Sequence, residues 1–109
     1  MGNSMGGGGA LYFAAKYAER FAGVVASGAT TVTWAYPFER LRENGIGLLY
    51  VHGDGDQQTN SHWAQLAADY ARKRGVDAEM LIVKGGDHRT AWRMALKESL
   101  DFLLQRRKP

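Results

Sequence analysis

Short apolar runs alternate with amphipathic helical patterns along the chain, and this alternation restricts the fold more than any other feature. Buried strands are predicted at residues 21–26 (FAGVVA), 46–52 (IGLLYVH) and 78–83 (AEMLIV). Helices are predicted at residues 10–20, 37–43 and 61–74, and from a cap at Thr90 to the end. Because strands that alternate with helices form parallel sheets through right-handed crossovers, the sequence predicts an α/β fold, a three-layer sandwich with a parallel sheet.

The length and net charge of the chain exclude several classes of function. The chain has 109 residues, so we expect residues 1–109 to form part or all of one domain. Its net charge of +3 is mild, and no basic stripe with interleaved aromatic residues indicates a nucleic-acid partner. No apolar run approaches the roughly 20 residues that cross a bilayer. The chain has 0 cysteines, which excludes disulfides and thiolate metal sites.

Residues 2–6 (GNSMG) match the pattern G-x-S-x-G. In this pattern the serine lies in a tight strand-to-helix turn, where only small neighbours leave room for its strained backbone. The helix that follows favours negative charge at its amino terminus. A phosphate-binding loop is disfavoured because no lysine follows the glycines and there is no room for a strand in front. The pattern makes Ser4 a candidate nucleophile, and a flexible glycine-rich tail would match it equally well.

Two further polar loops supply the partners that a serine nucleophile needs. A hydroxyl becomes reactive when a histidine takes its proton, and that histidine needs an acid to orient it. The loop GDGD follows the second predicted strand and contains Asp54 and Asp56, whereas GGDH follows the third and contains Asp87 and His88. Because the carboxyl ends of parallel strands meet at one edge, we expect these side chains to converge with Ser4.

These segments, in this order, resemble the carboxy-terminal half of an α/β-hydrolase of the esterase and prolyl-oligopeptidase-like branch. Residues 2–29 resemble the nucleophile elbow with its helix and next strand, LLYVHGDGDQQT resembles the HGxxD segment, and VKGGDHRTAW resembles the segment ending in the catalytic histidine. The resemblance implies a carboxylesterase that needs no cofactor or metal and acts on a small-molecule ester. It implies that Ser4 is the nucleophile, Asp56 the acid, His88 the base and the Met5 amide an oxyanion-hole donor.

The start of the chain departs from that family. Family members carry several strands and an oxyanion-hole loop before the elbow, whereas this chain begins at Met1. We therefore expect a piece of a longer hydrolase that starts at the elbow. A competing expectation is a catalytically incomplete fragment that self-associates through the exposed edge of its first predicted strand. A second alternative is a serine peptidase of the prolyl-oligopeptidase-like type.

Other polar residues have simpler interpretations. Asp54 competes with Asp56 for the role of acid, and only the resemblance favours Asp56. Asp87 is interpreted as a turn residue that orients its loop. His52 corresponds to a structural histidine of the resembling family, and His62 is interpreted as a surface or capping residue at a helix start.

Metal binding and an aromatic substrate pocket are the remaining alternatives. Imidazole and carboxylate groups bind several divalent ions. The histidine and aspartate residues of the three loops and their neighbours do not have the spacing of a known tight ligand motif. These residues are His52, Asp54, Asp56, His62, Asp87 and His88. Trp34 and Trp92 are candidates for lining a substrate pocket, and plain packing is the alternative interpretation of aromatic residues between strands.

Overall fold

Among the residues that the structure describes, four parallel strands form one sheet in the order of the chain. The computed structural model describes residues 2–3, 16–17, 23–27, 38–56 and 61–106. The strands are β1 (Gly2–Asn3), β2 (Gly23–Ser27), β3 (Gly47–Gly53) and β4 (Ala78–Val83). All three neighbouring pairs are parallel. The three predicted strands are thus confirmed, with boundaries shifted by one or two residues at β2 and β3.

The strand β1 was not predicted, and the expectation that no strand fits ahead of Ser4 is wrong. Two residues are enough to form this strand, because Gly2 pairs with Ala26 and Asn3 pairs with Ser27 of β2. The open edge expected at the first predicted strand, now β2, is therefore covered by β1 at the carboxyl end of β2. Sequence periodicity cannot reveal a strand of two residues, since no alternation develops over that length.

The described helices are α1 (Phe38–Glu43), α2 (Ser61–Lys73), α3 (Ala91–Met94) and α4 (Leu96–Leu104). The predicted helix at residues 10–20 lies outside the described residues, apart from Lys16 and Tyr17. The single helix predicted at the end is divided into α3 and α4 at Ala95, where φ is −100° and ψ is 12°. Among the described helices, none combines the length and apolar character required to cross a membrane.

Glycines end the first two described helices. Gly45 follows α1 with φ of 63°, and Gly75 follows α2 with φ of 85°. The amide of Gly75 donates to the carbonyl of Arg72, and the amide of Val76 donates to that of Ala71, which is the Schellman pattern. This arrangement confirms the predicted stop at Gly75 and directs the chain into β4.

The sheet is packed on both faces. On one face, Leu48 and Tyr50 contact a buried cluster that includes residues of α1 and α2. On the other, Leu49 and Val51 pack with Ala95 and Phe102. Because successive strand residues point to opposite faces, His52 lies on the same side as Leu48 and Tyr50. The layers are therefore helix, sheet and helix, as the sequence predicts.

The helix α4 buries a narrower face than its sequence suggests. Its small residue Ser99 and the preceding Ala95 are buried, as is Phe102. Small side chains let a helix lie close to a sheet, so the contact is made there. Three leucines of the helix are exposed, namely Leu96, Leu100 and Leu104.

Candidate active site

Asp56 and His88 meet beyond the carboxyl ends of β3 and β4. The Nδ1 atom of His88 lies 2.8 Å from Oδ2 of Asp56, although the residues are 32 positions apart in the chain. The side chain of Asp56 is 0% exposed and that of His88 is 13% exposed. A buried carboxylate must be paired to offset lost hydration, and the histidine provides a partner. The predicted convergence of these two loops is confirmed.

Backbone contact between the two loops produces this meeting. The amide of Gly55 donates to the carbonyl of Gly86 at 2.9 Å, and the amide of Asp54 donates to that of Val83 at 3.2 Å. A Cβ atom at Gly53 would collide with the carbonyl group of Gly86. Gly53, the first glycine of GDGD and the last residue of β3, is therefore required for the close approach of the two loops.

Asp54, the rival acid, makes a different contact. It is exposed, and its Oδ1 accepts a hydrogen bond of 2.9 Å from the amide of Gly85. Gly85 has φ of 79°, in the left-handed region that glycine adopts without strain. Asp54 thus ties its loop to the next one, whereas Asp56 contacts the histidine.

Asp87 organises the turn that carries His88. Its Oδ1 accepts hydrogen bonds of 2.9 Å from the amide of Arg89 and from both the amide and the hydroxyl of Thr90. The hydroxyl of Thr90 in turn accepts from the amide of Asp87 at 3.0 Å. Hydrogen bonds, above all the one from the Thr90 side chain, hold the pKa of Asp87 below its usual value of 3.8. The interpretation of Asp87 as a turn residue is confirmed.

These contacts also correct the predicted helix cap. Thr90 occupies the position before α3, but its side chain makes no capping hydrogen bond to that helix. Its hydroxyl is engaged by Asp87 instead. The capping prediction is wrong for the side chain because a nearby carboxylate competes for the same hydroxyl.

A contact between His52 and Asp56 was not predicted from the sequence. The side chain of His52 is 1% exposed, and its Nε2 lies 3.3 Å from Oδ2 of Asp56. Two imidazole rings therefore approach the same carboxylate oxygen. The HGxxD spacing holds the signal, since His52 at the end of a buried strand precedes Asp56 by four residues.

The other candidate residues lie elsewhere or outside the described residues. Ser4, Met5 and Trp34 are outside them, and Ser4 follows β1 directly in the chain. His62 is exposed in the first turn of α2, and Trp92 is half-buried in α3. Where the chain is described, no group of three or more histidine or acidic side chains is placed to hold a metal ion.

Comparison with known proteins gives the chain a family. The model of the family described as "Putative esterase" matches residues 1–103. The chain belongs to this family. No curated protein matches it.

Two solved esterase structures are similar to this member of the family. Esterase PE8 is 22% identical with a TM-score of 0.67, and the match covers 97% of this chain and 48% of PE8. A thermostable esterase is 17% identical with a TM-score of 0.78, and the match covers 98% of this chain and 30% of that structure. The chain thus spans less than half the length of either. The predicted α/β-hydrolase fold is confirmed.

Proposed function

We propose that the protein is a serine hydrolase that cleaves a carboxylic ester, with Ser4 as nucleophile, His88 as base and Asp56 as acid. The observation that carries this proposal is the 2.8 Å contact between Oδ2 of Asp56 and Nδ1 of His88. Membership of an esterase family supports the reaction class. The position of Ser4, directly after a strand of the same parallel sheet, supports its role.

Asp56 selects which nitrogen of His88 takes part in the reaction. With Nδ1–H donated to the carboxylate, Nε2 is the nitrogen that accepts a proton. The buried negative charge then stabilises the imidazolium that forms. With only 13% of its side chain exposed, His88 is partly shielded from water, which strengthens this stabilisation.

The reaction proceeds in two halves. The hydroxyl oxygen of Ser4 bonds to the ester carbonyl carbon while its proton passes to Nε2 of His88, and the amide of Met5 donates to the oxyanion. The carbon–oxygen bond to the alcohol then breaks, and the alcohol leaves with the proton from His88. Water attacks the acyl-enzyme by the same route, releasing the acid and regenerating Ser4. Each turnover consumes one ester and one water.

Labelling of the 109-residue chain with a fluorophosphonate probe tests this function. We expect the probe to label the protein, and Ser4→Ala and His88→Ala to abolish labelling. The matched control is Ser99→Ala, since Ser99 is buried in α4 and its hydroxyl has no hydrogen-bond partner among the described residues. Labelling that survives Ser4→Ala would remove the nucleophile assignment. Turnover of peptide anilides but not of nitrophenyl esters would favour the peptidase alternative.

A self-associating, catalytically incomplete module is the second candidate. Within the described sheet, β4 has a strand partner on one side only, and β1 covers only two residues of β2. Open strand edges pair readily with other chains. Light scattering over a dilution series, combined with probe labelling of each species, separates the candidates. A monomer that the probe labels overturns this second candidate, whereas an unlabelled oligomer supports it.

A further inference from the structure

We propose that His52 is a positioning residue of the site, whose Nε2–H donates to Oδ2 of Asp56 and holds that oxygen toward His88. The catalytic consequence rests on the proposed function, but the hydrogen bond itself does not. The role goes beyond the three residues that the reaction uses directly, because His52 acts through Asp56.

The distances support two donors on one oxygen. Oδ2 of Asp56 lies 2.8 Å from Nδ1 of His88 and 3.3 Å from Nε2 of His52. A carboxylate oxygen offers two lone pairs, so both rings can donate to it. The shorter contact belongs to the reacting histidine, which therefore makes the stronger hydrogen bond. The longer contact restrains the oxygen without displacing His88.

The placement of His52 suits a restraint. It lies within β3 and pairs in register with Ile82 of β4, so its backbone is fixed by the sheet. Asp56 and His88 lie on loops that follow these strands. A contact from a strand residue to a loop carboxylate fixes the loop side chain relative to the sheet. Burial of both partners, at 1% and 0% exposure, keeps water from replacing the contact.

The chemistry requires His52 to donate as a neutral ring. Asp56 stabilises the positive charge that His88 acquires during the reaction. A second cation on the same oxygen would oppose that charge, since like charges disfavour each other. A neutral ring protonated on Nε2 donates a hydrogen bond and leaves the carboxylate charge available to His88. We therefore assign the Nε2–H tautomer to His52.

Nitrogen NMR of the 109-residue chain with ¹⁵N-labelled histidine tests the tautomer without any need for turnover. The spectra are recorded at pH 8. Only three histidines are present, and the His62→Gln variant assigns the exposed one. We expect His52 to carry its proton on Nε2 and His88 on Nδ1. A His52 ring protonated on Nδ1 alone overturns the proposal.

Paired substitutions test the restraint. In His52→Phe we expect the Nδ1 proton resonance of His88 to move, because Oδ2 of Asp56 loses one donor. In His52→Gln the amide nitrogen reaches about as far from the backbone as Nε2, so we expect the resonance to return toward its original position. His62→Gln should leave it unchanged. An unchanged His88 resonance in a folded His52→Phe protein also overturns the proposal, and if that variant fails to fold, the tautomer of the unmodified chain decides.

Steady-state kinetics provide a further test, because a residue with only a structural role would not change kcat while KM stays constant. With a nitrophenyl ester as substrate, we expect His52→Phe to lower kcat roughly tenfold and to leave KM unchanged. This loss of rate corresponds to one hydrogen bond to a charged group. We expect His52→Gln to recover most of the lost kcat. A chain with no esterase activity but with the expected tautomers would refute the proposed function and leave the restraint standing. Activity combined with the wrong His52 tautomer would do the reverse.

Discussion

The amide nitrogen of Gly55 lies 2.9 Å from the carbonyl oxygen of Gly86, and this backbone hydrogen bond joins the loops that carry Asp56 and His88. A Cβ atom at Gly55 would lie 3.1 Å from the carbonyl oxygen of Gly86, and one at Gly86 would lie 3.2 Å from Ala91, so neither position leaves much room for a side chain. The backbone hydrogen bond explains how two loops from neighbouring strands bring their side chains within hydrogen-bonding distance. The geometry of the candidate site is thus set by backbone packing at the carboxyl edge of the sheet.

The first prediction concerns Gly53, where an added Cβ would collide with the Gly86 backbone. Backbone cannot move aside as a flexible side chain can, so we expect Gly53→Ala to lower the free energy of unfolding by about 1–3 kcal/mol. Urea denaturation measures this change in the free energy of unfolding. Gly23→Ala is the matched control, because its Cβ would meet only side-chain atoms of Leu103 and Arg106 at ordinary distances of 3.4 Å. Equal losses for both variants would contradict this explanation.

The second prediction separates the two candidate acids. Asp56→Asn should lower kcat by roughly 10⁴-fold, because an amide no longer holds the Nδ1–H tautomer of His88 or stabilises its imidazolium. Asp54→Asn should leave kcat unchanged, since an amide oxygen can still accept the hydrogen bond from Gly85. Initial rates on a nitrophenyl ester provide the measurement. The opposite pattern would assign the acid to Asp54.

Local patterns predicted the three main strands and the convergence of their loops, because each strand is an apolar run bounded by polar turn residues. They did not predict β1, which consists of Gly2 and Asn3 and depends on pairing with β2. A strand defined only by its partner leaves no periodicity in the sequence. Tertiary pairing is therefore the missing information at this end of the sheet.

The candidate site was predictable to a similar depth. The order and spacing of the loops predicted that an acidic residue of GDGD meets His88. They could not distinguish Asp54 from Asp56, because both residues follow the same strand. The choice depends on which carboxylate the Gly55–Gly86 contact turns inward, a matter of backbone geometry. The approach of His52 to Asp56 was missed because the HGxxD spacing places the two residues four positions apart but does not say whether their side chains meet.

The third prediction concerns pH and Asp87. Hydrogen bonds lower the pKa of this carboxyl in the folded protein below 3.8, so the unfolded chain binds its proton more readily. Its charge therefore stabilises the fold fully above pH 3.8, and this contribution is lost as the pH falls through the folded pKa. Asp87→Asn keeps the acceptor oxygen but removes the charge. We expect the urea midpoint of the variant to lie below that of the unmodified chain at pH 7.

The difference between these two proteins should shrink as the pH falls below 3.8, the usual pKa of Asp87. Midpoints recorded at several values between pH 7 and pH 2 would follow this change. Asp101→Asn is a suitable control, because Asp101 forms an exposed pair with Lys97 on α4, away from the turn. A midpoint difference for Asp87→Asn that stays constant over the whole range would show that its charge plays no part.

The fourth prediction concerns Arg106, which follows α4 and packs across the amino-terminal end of the sheet. Its guanidinium carbon lies 3.7 Å from the ring centroid of Phe102, and its Nη2 lies 3.0 Å from Asp77 and 3.5 Å from Glu79. The absence of a side chain at Gly47 leaves room for it. We expect Arg106→Ala to lower the free energy of unfolding by about 2 kcal/mol, mainly through lost stacking and packing.

Arg106→Lys distinguishes stacking from charge. Lysine keeps the positive charge but lacks the planar group that lies on Phe102, so we expect it to recover less than half of the loss in urea denaturation. Lys97→Ala is the control for an ordinary surface pair: its side chain is 84% exposed and its contact with Asp101 is 3.2 Å. That control should cost less than about 0.5 kcal/mol, because solvent screens exposed pairs. Full recovery by lysine would mean that charge alone, and not the stacked guanidinium, stabilises this end of the sheet.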